Sequence, residues 1–149
     1  TEEILADRPG VRFLSLFQWP LFPHRRMEPT PSNAVLSPLP AGAGGEEIRN
    51  VVENVWLPEI DKFQPDLMIL SAGFDAHCEE RIAQLKAGEM DYACVTRLLV
   101  EASFAYCEGR LVSVLEGGYE LRSLARSVFT HLQGLIRNPL PAETCKDPN

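Results

Sequence analysis

Leu67-Met68-Ile69-Leu70-Ser71-Ala72-Gly73-Phe74-Asp75-Ala76-His77 decides the fold. A short apolar run with no polar alternation reads as a strand buried on both faces, the kind found in parallel sheets. Gly73 then lets the backbone leave the strand, and Asp75 follows as the first side chain with chemistry to offer. A second stretch repeats the pattern: Leu111-Val112-Ser113-Val114-Leu115, then Glu116-Gly117-Gly118-Tyr119. Ligands of open α/β sheets bind beyond the carboxyl ends of the strands. Asp75 and Tyr119 are therefore expected on one rim, facing one crevice.

Working outward, Val11–Phe17 reads as a further strand after the Pro9-Gly10 turn. Residues 18–45 hold half of the chain's 12 prolines and read as a long loop with a short extended piece at Ala34-Val35-Leu36. From Glu46 to Phe63, Ile48, Val51, Val52, Val55, Trp56, Ile60 and Phe63 recur at helical spacing, with a kink expected at Pro58. A second helix is expected from Glu89 to Cys107. A third, after Tyr119, would turn Leu121, Leu124, Ala125, Val128, Leu132 and Leu135 inward. Residues 139–149 read as a loose tail after a domain spanning 1–138. Alternating strands and helices predict a three-layer α/β fold, a mostly parallel sheet with helices on both faces. The strands near 11–17, 67–72 and 110–115 are expected in one sheet.

Composition narrows the function. The 149 residues suffice for one domain with a core, and 45% hydrophobic with 23% charged residues is ordinary for a globular protein. A net charge of −7 without a basic cluster argues against a nucleic-acid-binding face. No run is long enough to span a membrane, and no signal peptide is visible. The four cysteines lack zinc-finger spacing, and Cys94 and Cys107 read as small apolar helix residues. These readings predict a cytoplasmic protein. Thr1-Glu2-Glu3-Ile4-Leu5 reads as the middle of a helical turn, which suggests a fragment or processed product.

The residues leave several roles open. Asp75 could ligate a metal, act as a base or cap a loop. Asp75 and His77 could together form a two-ligand metal corner, although a hydrogen-bonded loop histidine is the plainer reading. Gly117-Gly118 at a helix start could cradle a phosphate, or let substrate approach while Tyr119 donates to a reacting carbonyl.

Together, Ser71–His77 and Leu115–Tyr119 resemble the C-terminal signatures of zinc-dependent histone deacetylase-like amidohydrolases, which have the arginase/deacetylase-like fold. This family includes acetylpolyamine amidohydrolases and acetoin-utilisation-type proteins. Gln18-Trp19-Pro20-Leu21-Phe22-Pro23, the Pro38–Gly44 turn, Pro65-Asp66-Leu67 and Ala125-Arg126-Ser127-Val128 resemble further family segments, so the likeness covers residues 1 to about 137. The resemblance implies hydrolysis of an acetylated amine, acetyl-lysine or acetylpolyamine, with Zn2+ in the complete protein. It implies Asp75 as a zinc ligand, Tyr119 as the catalytic oxyanion donor, and Gly117, Gly118, Phe22 and Ile82 along the substrate channel. It also implies Ser15 and Leu16 beside a monovalent cation, K+. His77 matches no ligand position.

The departures are as specific. The family's Asp-x-His ligand motif and paired general-base histidines have no counterpart here, since the only histidines are His24, His77 and His131. His24-Arg25-Arg26 stands where the family has glycine, and Glu80-Arg81-Ile82 where it has Asp-Pro-Leu. The chain thus reads as the C-terminal portion of a deacetylase, by itself inactive. Two other readings remain at this stage. One is a non-catalytic remnant that binds its missing N-terminal portion, or forms a homo-oligomer, through an exposed sheet edge. The other is an unrelated phosphate-binding domain.

Overall fold

The computed structural model describes residues 2–21 and 30–136. Phe22, the His24-Arg25-Arg26 segment and the tail at 139–149 lie outside the described residues. The chain runs α1 (Glu2–Leu5), β1 (Phe13–Gln18), β2 (Ala34–Leu39), α2 (Gly45–Val51), a π-helical stretch (Val52–Trp56), α3 (Leu57–Phe63), β3 (Met68–Ala72), α4 (Glu89–Cys107), β4 (Leu111–Leu115) and α5 (Leu121–Leu135).

The architecture is α/β with parallel strands. β1 pairs with β2 in register Phe13 to Ala34 through Gln18 to Leu39, and β3 pairs with β4 in register Met68 to Leu111 through Ala72 to Leu115. The expectation of one sheet needs correction: these are two two-stranded sheets, and no ladder joins them among the described residues. The extended piece expected at 34–36 is a full strand. It tolerates Pro38 because, among the described residues, no strand pairs with the outer edge of β2.

The helix expected over 46–63 forms continuously, but Pro58 does not simply kink it. A regular turn would drive the proline ring into the Asn54 carbonyl, four residues back. The chain widens instead into the π stretch just before Pro58, with Leu57 N–H donating to the Val52 carbonyl, five residues back. Val52, Ile60 and Leu99 form a core cluster against which Leu14 of β1, Met68 and Leu70 of β3, and Leu111 of β4 pack. Both ribbons therefore rest on one helical layer. A second cluster of Leu39, Ala43, Ile48, Leu85 and Ala87 seals the carboxyl ends of β1 and β2.

α5 turns a different face inward from the one its leucines predict. Ser123, Ser127 and His131 are the buried positions, whereas Leu121 is 76% exposed and Leu132 is also exposed. Small residues at i, i+4 let α5 lie close to α4, and a Cβ at Gly134 would fall 2.8 Å from Thr96 Cγ2. Cys94 and Cys107 are both buried in α4, and Cys107 is a free thiol. Among the described residues no helix is long and apolar enough to cross a membrane.

Candidate functional site

A cavity of about 980 Å3 opens at the carboxyl ends of β1 and β3. Asp75 and Tyr119 both line it, as do Ser15, Leu16 and Ile82. Gly117 and Gly118 do not line it; they act from behind by bringing the two strand ends together. A Cβ at Gly117 would lie 3.0 Å from Asp75 Cγ and Oδ1, and one at Gly73 would lie 3.0 Å from the same oxygen. Glycine at both positions is what allows the Asp75 carboxylate to lie against the β4 turn. Phe74 N–H donates to the Gly117 carbonyl at 2.8 Å and ties the loops together. Gly118 adopts φ +130°, a region that side chains disfavour.

Tyr119 is 61% exposed. Its backbone is fixed by a residue that the sequence marks only as a departure. Glu80 Oε2 accepts from Tyr119 N at 2.8 Å and from Glu120 N at 3.2 Å. Partial burial pushes the Glu80 carboxyl up, but the amides of Tyr119, Arg81, Glu120 and Ile82 outweigh it and hold the group below its usual value. A carboxylate therefore already occupies the amides at the start of α5. That disfavours a phosphate there, because an incoming anion would meet Glu80.

Tyr92 lies beneath the site, also missed by sequence reasoning because it sits within the regular helical pattern of α4. Its hydroxyl donates to the Phe74 carbonyl at 2.9 Å, and its ring is tilted against Phe74 and stacked on His77. Burial first, and then the nearby Asp75 carboxylate, push the phenol far above its ordinary range, so it stays a donor. His77 is 2% exposed; its Nδ1 accepts from Glu79 N at 3.1 Å, and Nε2 lies 3.5 Å from Glu89 Oε1. It is a loop-bracing histidine.

His131 reaches the cavity wall from α5. Thr96 Oγ1 donates to the Tyr92 carbonyl at 2.6 Å, so it accepts from His131 Nδ1–H at 2.7 Å, while the Ser113 hydroxyl donates to Nε2 at 2.8 Å. This arrangement suits the neutral ring, and burial lowers its pKa. A depressed folded value means that the contribution to stability is present above the unfolded value of about 6.5 and lost as pH falls through the folded value. The midpoint of urea unfolding should accordingly fall between pH 7.5 and pH 5 more steeply in the native chain than in His131→Gln. Equal slopes would remove His131 as the cause.

Asp75 is the one carboxylate of the candidate metal position. Among the described residues no group of three His, Cys, Asp or Glu side chains is placed to hold a metal ion. A catalytic zinc takes three protein ligands, so the donor set present here does not fit one by itself.

Parallel strands on a helical layer, with a carboxylate and a phenol beside one cleft at the strand ends, define an α/β protein with a strand-end cleft. Comparison with known proteins then supplies the family. The model of the histone deacetylase domain matches residues 1–135, and the chain belongs to that family. It is 34% identical over 127 residues to a probable deacetylase of Archaeoglobus fulgidus, covering 81% of this chain and 35% of that one. With the mouse polyamine deacetylase HDAC10 it shares 37% identity over 100 residues, covering 67% of this chain and 14% of that one. Among solved structures, the HDA15 HD domain superposes with a TM-score of 0.82 at 26% identity, covering 97% of this chain and 42% of that one. The histone deacetylase Clr3 gives 0.82 at 27%, covering 95% and 25%. The chain thus spans about a third of the archaeal relative and less of the mouse one.

Proposed function

We propose that this chain supplies the electrophile-binding side of a deacetylase site that hydrolyses an acetylated amine, acetyl-lysine or acetylpolyamine. The observation that carries the reading is the shared cleft, in which Asp75 and Tyr119 stand on adjacent strand ends pressed together at Gly73 and Gly117. Tyr119 would donate its phenolic proton to the oxygen that gains charge as the amide carbon becomes tetrahedral. Glu80 would hold the Tyr119 backbone in place through the amide bonds described above. Ile82, exposed at the rim, would contact the linker of the acylated amine, and Phe22 is proposed for the same channel. Ser15 and Leu16 are proposed to flank a K+ ion. Zn2+ is proposed for the complete site only, because Asp75 alone does not hold it. The chain's cytoplasmic setting is part of the same reading.

The isolated chain should show no zinc-dependent turnover of a fluorogenic acetyl-lysine amide or of an N-acetylpolyamine. Among the described residues it offers one family metal ligand, and its sequence holds no paired histidines like the family's general-base pair. Robust turnover under added zinc would show that residues outside the proposed set complete the site.

A further inference from the structure

Arg126 stands on α5, about two helical turns beyond Tyr119. Its guanidinium forks between two carboxylates: Nη2 donates to Glu79 Oε1 at 2.5 Å, and Nε donates to Glu89 Oε1. Glu79 belongs to the loop that leaves β3 with Asp75, and Glu89 is the first residue of α4. One exposed side chain thus ties three segments together. The pairing is mutual: Glu89, ahead of Glu79, raises the guanidinium's pKa, and Arg126 holds the Glu89 carboxyl below its usual value.

The same loop meets α5 at a second point. Glu80, next to Glu79, accepts from the Tyr119 and Glu120 amides at the helix start. One attachment is a pivot about which the loop can turn. Two attachments at successive residues, reaching different turns of one helix, fix its orientation as well as its distance. On the inner side, Glu89 Oε1 lies 3.5 Å from Nε2 of the buried His77, whose ring stacks on Tyr92. The Tyr92 hydroxyl donates to the carbonyl of Phe74, the residue before Asp75. Contacts therefore run without a break from the helix behind Tyr119 to the backbone beside Asp75.

We propose that Arg126 is a positioning residue for Tyr119: by holding Glu79 against α5 it keeps Glu80 under the Tyr119 and Glu120 amides, and so sets where the phenol stands relative to Asp75. The consequence for rate rests on the hydrolase reading, whereas the clamp itself does not. The planar fork matters as much as the charge, because it addresses both carboxylates at once from fixed directions. An exposed ion pair adds little to overall stability, so breaking this one should act locally, on the loop and the start of α5.

The test is amide hydrogen exchange on the full chain. Amides at a helix start have no acceptor inside the helix, so exchange at Tyr119 and Glu120 reports the hold of Glu80 directly. Glu80→Ala sets the released rate. Arg126→Gln should speed exchange at both amides by at least about fivefold, toward that released rate, while β3, β4 and α4 stay within about twofold and the urea midpoint is unchanged. Glu79→Gln should act in the same direction, and the double variant should match Arg126→Gln alone, because both changes remove one contact. In a complete deacetylase domain carrying this segment, Arg126→Gln should lower kcat about tenfold with KM within about twofold, since a displaced catalytic group loses rate before binding. The proposal is overturned by unchanged exchange at the two amides in the folded variants, or by a uniform rise across all elements, which would make the pair a general stabiliser. Additive losses in the double variant would also overturn it, as would an unchanged kcat in a domain that Tyr119→Phe slows. A parent domain without turnover would count against the hydrolase reading, and the exchange result would then decide the clamp by itself.

Discussion

Tyr119→Phe should slow hydrolysis of an acetylated amine by about 10²–10³-fold in a complete deacetylase domain carrying this segment, the usual loss when one oxyanion donor is removed. The variant removes a single hydroxyl. Tyr119 is 61% exposed, and its backbone position is secured by Glu80 rather than by its own side chain. Stability should therefore be nearly unchanged, and the midpoint of urea unfolding should match that of the parent. The loss should appear in kcat and in kcat/KM together, because the hydrogen bond strengthens only as negative charge develops on the oxygen. A raised KM with intact kcat would instead make Tyr119 a substrate-binding group. An unchanged rate would take it out of the mechanism.

What the sequence made legible, and what it hid, follows from the range over which each signal acts. β3 and β4 are continuous apolar runs that end in glycine, and local composition suffices to identify them. α4 begins and ends where its periodicity and the Glu108-Gly109 stop place it. The pairing of strands is a long-range property, so nothing in Val11–Phe17 reveals that its neighbour is 34–39 and that, among the described residues, no ladder joins it to β3. The inward face of α5 was hidden for a different reason. Hydrophobic periodicity favours the leucine stripe, but Ser123, Ser127 and His131 are buried because α4 comes close and Thr96 and Ser113 satisfy the imidazole. At the site, Asp75 and Tyr119 could be read as strand-end residues. Glu80 could not, since its partners are the amides of Tyr119 and Glu120, about 40 positions away. The only trace of it in the sequence was a departure from the family pattern.

Gly118→Ala should destabilise the chain by about 2–6 kcal/mol, through two costs that add. The first is backbone strain, because Gly118 sits at φ +130°, where a side chain costs about 1–3 kcal/mol. The second is overlap. The new Cβ would fall 2.7 Å from Leu124 Cδ1 and 3.2 Å from Phe74 Cβ, and forcing extra carbon into a packed site typically costs about 1–3 kcal/mol. Leu124 can yield part of that by moving its side chain, but Phe74 cannot retreat easily. It is buried, its ring contacts Tyr92 and His131, and its N–H is bonded to Gly117. Gly42→Ala separates the two costs. Gly42 also has a positive φ, +88°, but a Cβ there meets nothing within 4 Å, so only the strain applies. Urea unfolding of the two variants side by side should place the Gly118→Ala midpoint clearly below that of Gly42→Ala. Equal losses would mean that strain alone requires glycine at 118. No loss at Gly118→Ala would mean that the turn joining β4 to Tyr119 repacks freely, and the close approach of the two strand ends would then not be what positions Tyr119 in the cleft.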